Sequence, residues 1–275
     1  MKRKLITIFI LALLASGAVL TACVPNVTTP STDTDGYITI RQIEYSMELT
    51  ELRLDTWRLQ DDDIAVLRYM TNLELLDLSN NQISDLSPLS GLTNLTYLIL
   101  GNNQIIDLSP LSGLTNLELL VLNNNQISDV SPLSDHTNLE LLALHDNQIA
   151  DLLPLSNLTS LEHLYLRNNQ ISDLSPISGF AGLVQLLLND NQIIDLSPLS
   201  ELENLNDLAL DNNQIIDLSP LSGLTNLAML TLSSNQLSDL SPLSELESLN
   251  DLVLDNNPIS DWSPVAHVPN VFGKP

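Results

Sequence analysis

The chain is 275 residues long and carries 34 acidic residues against nine basic ones, a formal net charge of −25 at neutral pH. That balance argues against nucleic-acid binding and against a polybasic membrane patch, both of which need a basic footprint. A single cysteine rules out an internal disulfide framework.

Residues 1–22 read as a targeting segment. Lys2, Arg3 and Lys4 form a basic start, and the apolar run Leu5–Leu20 follows. That run is short for a membrane span and suits a signal peptide. The segment leads into Leu20-Thr21-Ala22-Cys23, which resembles the bacterial lipobox. The resemblance implies cleavage before Cys23, a diacylglycerol on its thiol, and a chain anchored outside a bacterial cytoplasmic membrane. Two or more acyl chains give stable anchoring where one is marginal. Cleavage would also remove three of the nine basic residues and none of the acidic ones. Residues 23–36 then supply the lipidated cysteine and a tether rich in Thr, Ser, Pro and Asp, with little to bury.

Residues 37–70 read as an N-terminal cap. Tyr37-Ile-Thr-Ile and Ile43-Glu-Tyr alternate like two short strands, with Arg41 and Gln42 between them. Leu49, Leu52 and Leu54 open a degenerate repeat in which Trp57 occupies the place of a recurring asparagine. Asp61–Met70 predicts a short helix, acidic at its start where the helix dipole favours carboxylates, with Ile64, Leu67 and Met70 on one stripe.

Residues 71–268 are nine copies of a 22-residue unit without insertion or deletion. The second copy reads Thr93-Asn-Leu-Thr-Tyr-Leu-Ile-Leu-Gly-Asn-Asn-Gln-Ile-Ile-Asp-Leu-Ser-Pro-Leu-Ser-Gly-Leu114. Leu-x-Leu alternation, as at Leu98 and Leu100, puts apolar side chains on one face of a short strand. A single strand cannot bury that face alone, but stacked copies bury it against one another in a parallel sheet. Asn recurs at 81, 103, 125, 147, 169, 191, 213, 235 and 257. An inward amide offers donors and an acceptor together, so the column predicts a buried ladder tying adjacent coils. Asp recurs at 85, 107, 129, 151, 173, 195, 217, 239 and 261, mostly followed by Leu-Ser-Pro-Leu. Ser before Pro predicts a helix start with Ser as N-cap, and the segment is short enough for a 3₁₀ turn. The Asp column reads as turn capping; a row of cation sites is the alternative.

The spacing Leu95, Leu98, Leu100, Asn103, Ile105 fits the leucine-rich repeat pattern. The text around it resembles the bacterial internalin-like 22-residue class. The resemblance implies a right-handed α/β solenoid, an arc with its parallel sheet on the concave face and 3₁₀ turns on the convex face.

With Leu73 as position one, positions three, five and seven of each coil face the concave side. From the second to the sixth coil, positions three and five are mostly apolar: Tyr97, Ile99, Leu119, Val121, Leu141, Ala143, Tyr165 and Leu187. On an open face such a strip marks a protein-partner surface. His145, His163 and Arg167 add interface residue types beside it, and Asp207, Asp211, Asp251 and Asp255 bring acidic character to the later coils. Asp146 and Asp190 are expected to pair with Arg167. His145, His163 and Asp146 together could hold zinc, but their spacing matches no metal motif. No nucleophile–base set or phosphate loop stands out, and no cofactor is implied.

The expected function is non-enzymatic protein recognition through the concave face, with membrane contact through the lipid anchor alone. A structural envelope protein without a specific ligand is one alternative. A glycan-binding adhesin stacking sugars on Tyr97 and Tyr165 is another. Residues 269–275 read as a tail, with Trp262 helping to cover the last coil. A light cap there leaves weak end-to-end self-association open.

Overall fold

The computed structural model describes residues 31–32 and 36–274. The targeting segment, Cys23 and most of the tether lie outside the described residues. Strand β1 (Ser31–Thr32) pairs antiparallel with β2 (Tyr37–Ile40), which forms a hairpin with β3 (Ile43–Ser46). The cap sheet therefore reaches back into the stretch read as tether.

A second sheet of 11 parallel strands runs the length of the molecule in unbroken chain order. It begins with β4 (Glu51–Arg53), the strand of the degenerate repeat. Nine three-residue strands follow, one per coil: β5 (Leu75–Asp77), β6 (Tyr97–Ile99), β7 (Leu119–Val121), β8 (Leu141–Ala143), β9 (His163–Tyr165), β10 (Gln185–Leu187), β11 (Asp207–Ala209), β12 (Met229–Thr231) and β13 (Asp251–Val253). Like positions of neighbouring coils face each other, as Leu98 faces Leu76 and Leu120. The last strand, β14 (Asn270–Phe272), pairs with β13. From sequence alone this segment reads as a tail. Its Asn-Val-Phe lacks the Leu-x-Leu signature, and the pairing comes from the sheet edge that β13 offers.

The inward leucines are sealed; Leu76, Leu78, Leu98 and Leu100 have no exposed surface. Full burial of one such side chain stabilises by roughly 1.5–3 kcal/mol. Because each coil touches only its neighbours, these contributions accumulate coil by coil.

The asparagine ladder forms as expected. Asn103 donates through Nδ2 to Leu78 O and Leu100 O, both at 3.0 Å, while its Oδ1 accepts Ile83 N–H at 3.1 Å. Each rung thus satisfies backbone groups of two coils where the chain leaves the strand.

The 3₁₀ turns also form, from Ser87–Leu89 to Ser263–Val265, but Ser is not their N-cap. The preceding residue, such as Leu108, is the cap, Ser is the first residue of the turn, and the aspartate supplies the acceptor. Asp107 Oδ1 accepts both the Ser109 N–H at 2.8 Å and its hydroxyl at 2.6 Å. A carboxylate one residue further back reaches both donors at once, and the Ser hydroxyl becomes a donor to it. These hydroxyl and N–H bonds hold Asp107, Asp173, Asp195 and Asp217 below the usual carboxylate range. That geometry is the turn-capping role.

In the cap, helix α1 (Asp61–Ile64) passes directly into a 3₁₀ segment, Ala65–Tyr69. Ile64, Leu67 and Met70 are buried as the stripe predicts. Arg41 of the β2–β3 turn is the unexpected member. It is 8% exposed and forms an ion pair with the buried Asp63 at 2.9 Å. Nη1 donates to Trp57 O at 2.7 Å, and Nη2, which makes the ion pair, also donates to Arg58 O at 2.8 Å. With Trp57 replacing the ladder asparagine, the guanidinium serves carbonyls of that turn. At the far end Trp262 packs against the core, half-buried, as expected.

Candidate binding face

The three concave columns fall where the strand alternation puts them, but they divide into two unlike halves. In the first half, Ile99, Leu119, Val121, Leu141, Ala143 and Tyr165 form a hydrophobic cluster separate from the main core, with Tyr97 and Leu187 packed against it. The strip is contiguous, as its sequence predicts, but it is not open. Leu119, Leu141 and Ala143 have no exposed surface, and Tyr165 keeps 3%. On a face that curves inward, neighbouring side chains converge and close over one another. Among the apolar candidates only the flanking Tyr97 and Leu187 stay half-exposed. Strand alternation alone does not reveal this curvature.

Polar candidates sit around the closed cluster. The Tyr97 hydroxyl lies 3.3 Å from Glu118 Oε2. The Tyr165 hydroxyl donates to Gln185 Oε1 at 2.6 Å, and Gln185 Nε2 donates onward to Asp207 Oδ2 at 2.6 Å. Burial and the nearby Asp207 push the Tyr165 phenol well above its ordinary range. Arg167 is exposed and lies 3.2 Å from Asp146, the expected ion pair. Its other expected partner, Asp190, instead accepts Asn212 Nδ2 at 2.9 Å. His145 is 7% exposed; burial first, then the Arg167 charge, lowers it to about 4, so it is neutral at physiological pH. His163 faces the Tyr165 ring at 6.5 Å, and burial lowers it too. The two histidines occupy different columns, and no group of three metal-ligating side chains converges among the described residues.

The later half is different. Asp207, Asp211 and Asp251 are half-exposed, Asp255 is exposed, and Met229, between two of these strands, is 42% exposed. Asp211 is engaged within the face by Asn189, Thr231 and the Ser233 N–H. Along the other ends of β6–β9 runs a groove of about 470 Å³, lined by Thr96, Glu118, Glu140, Glu162, Asn116 and Asn138. Neither this groove nor the second amide column beside it is among the sequence expectations: Asn94, Asn116 and Asn138 each donate at 2.9 Å to the preceding coil, to Thr71 O, Thr93 O and Thr115 O. The recurrence of Thr-Asn-Leu was the available signal.

The family model described as Leucine Rich repeats (2 copies) matches residues 71–113, 93–135, 137–179 and 225–267. Among solved structures, an internalin from Listeria monocytogenes is 36% identical, with a TM-score of 0.73 over 84% of this chain and 76% of that one. Internalin C2 of the same organism is 33% identical, with a TM-score of 0.57 over 78% and 87% of the two chains. The functional domain of InlJ, also from Listeria monocytogenes, is 25% identical over 84% of this chain and 56% of that one, with a TM-score of 0.67; it is described as including a cysteine ladder. Comparison with curated proteins finds no match. The repeat text, the one-strand-per-coil sheet and these similarities together place the chain in the leucine-rich repeat family, as an internalin-like protein carrying that family's general protein-binding module.

Proposed function

We propose that this protein is a non-enzymatic recognition module, lipid-anchored through Cys23 outside a bacterial cytoplasmic membrane, that captures a protein partner on its concave face. The observation carrying this reading is the sheet itself. One face of 11 strands is spent on the core, and the other holds three aligned columns of varied side chains on a rigid frame. Recognition sites built on such elements are held more tightly than sites on loops. The anchor rests on the Ala22-Cys23 junction and the apolar run before it.

The test is capture from envelope and secreted proteins, with a Tyr97→Glu/Leu187→Glu variant alongside. Both side chains are half-exposed, whereas Tyr165 is buried and would report on folding instead. A protein retained by the wild type and lost by a folded variant is the expected result; equal retention by both sinks concave-face recognition. A Cys23→Ser chain is expected to leave the membrane fraction, and its persistence there would refute the lipid anchor.

A second reading, end-to-end self-association, draws on β4 and β14, each of which has a strand neighbour on one side only among the described residues. Head-to-tail stacking of such edges gives open chains rather than closed dimers. Sedimentation that stays independent of concentration would dismiss it.

A further inference from the structure

The later half of the concave face carries an arrangement that the apolar strip does not. One column crosses β10 to β14 in the order Gln185, Asp207, Met229, Asp251, Asn270, each residue facing the next across the sheet. Gln185 Nε2 donates to Asp207 from one side, at 2.6 Å, and Asn270 Nδ2 donates to Asp251 from the other, at 3.0 Å. Two carboxylates, each oriented by an outer amide, therefore flank Met229, a residue that is 42% exposed. An ionised carboxylate accepts about four hydrogen bonds, so each retains capacity beyond its amide. Adjacent strands lie about 4.8 Å apart. A group resting over Met229 is thus one strand from each carboxylate. The neighbouring floor is small, with Ala209 and Thr231 at position five.

We propose that this column is the cradle for an arginine side chain of the protein partner. The aliphatic stem lies on the Met229 thioether and the guanidinium is held between Asp207 and Asp251. This rests on the concave-face reading above and names the chemistry that face selects. Charge complementarity sets the occupant: Arg167 is the sole basic residue of the nine coils and is already paired with Asp146, while Asp255 adds negative charge at the cradle's edge. Arginine fits better than lysine because its planar fork meets two carboxylates at once and its weaker hydration lowers the desolvation penalty. The stem covers the one strongly exposed apolar side chain of the nine strands.

The methionine methyl groups give a direct readout. With 13C-methyl labelling, Met229 should shift on titration with N-acetyl-arginine amide, while the fully buried Met70 stays still. Asp207→Asn/Asp251→Asn should weaken the response tenfold or more. Glu201→Gln/Glu245→Gln removes the same charge from exposed positions after two of the turns and should change it less than twofold. Equal weakening by both variants would reduce the effect to long-range attraction and overturn the proposal. So would an equal response to N-acetyl-lysine amide, or none to arginine. A partner captured in the concave-face test yet indifferent to Asp207→Asn/Asp251→Asn would remove the cradle and leave the parent reading standing.

Discussion

The Tyr165 hydroxyl donates to Gln185 Oε1 across adjacent strands at 2.6 Å, and this bond joins the two halves of the concave face. Tyr165 closes the apolar cluster, while Gln185 orients Asp207 in the acidic half. Tyr165→Phe keeps the ring and removes the donor. It should lower unfolding free energy by about 1 kcal/mol, the net worth of one such bond. It should also weaken the arginine response at Met229 by loosening Gln185. Urea denaturation measures the first effect and the methyl titration the second. An unchanged stability would show that water replaces the donor.

The ladder asparagine carries a larger effect. Asn147 Nδ2 donates to Leu122 O and Leu144 O at 3.0 Å, and its Oδ1 accepts the Ile127 N–H at 3.0 Å. Asn147→Ala leaves those backbone groups without their side-chain partner in the middle of the stack. The loss should be roughly 3 kcal/mol or more, several times that of a single neutral bond. A urea midpoint within error of wild type would mean that the column is dispensable.

What the sequence made legible follows from what repeats. The leucines, the asparagine ladder and the capping aspartates recur because each does the same job in every coil, and periodicity alone places them. The capping role of Asp107 was legible, but the rank of Ser109 was not, because Ser-Pro suits both the cap and the first turn position. The concave candidates were placed on the right face, yet their openness was not readable. Leu119 and Leu141 are sealed by neighbours 22 residues away, a consequence of curvature rather than of local pattern. Arg41 was missed because one arginine in a hairpin turn carries no spacing that points to Asp63.

A left-handed backbone position recurs just before the ladder residue. Asn80, Asn102, Asn124, Asp146, Asn168, Asp190, Asn212, Ser234 and Asn256 all have φ between 51° and 59°. Asn and Asp tolerate this region because their side chains bond locally, and serine does so less well. Ser234→Asn should therefore stabilise the chain by a few tenths to about 1 kcal/mol. Asn212→Ser, the reverse change one coil earlier, should destabilise it by a similar amount. Thermal melts of the pair decide the matter: equal midpoints would show that backbone conformation at this position is not limiting.

His136 sets a pH dependence. It sits in the column of Leu92, Leu114, Leu158 and Phe180, has no exposed surface, and keeps its Nδ1 buried with no hydrogen-bond partner among the described residues. Burial lowers its folded-state value below the ordinary 6.5. The unfolded chain therefore binds the proton more readily, and stability falls as pH drops through about 6.5 toward the folded value. Buried His145, lowered to about 4, adds a fall of the same sign across the window from about 6.5 to 4. His136→Leu restores the column residue. Leu111 O, which faces the imidazole Nε2 at 3.1 Å, keeps the Leu114 N–H at 2.9 Å, so no carbonyl is orphaned. The variant should match or exceed wild type at pH 7.5 and lose less between pH 7.5 and 5.0. Urea midpoints at the two pH values measure this. Identical losses in both proteins would acquit His136 and leave the remaining histidines to account for the slope.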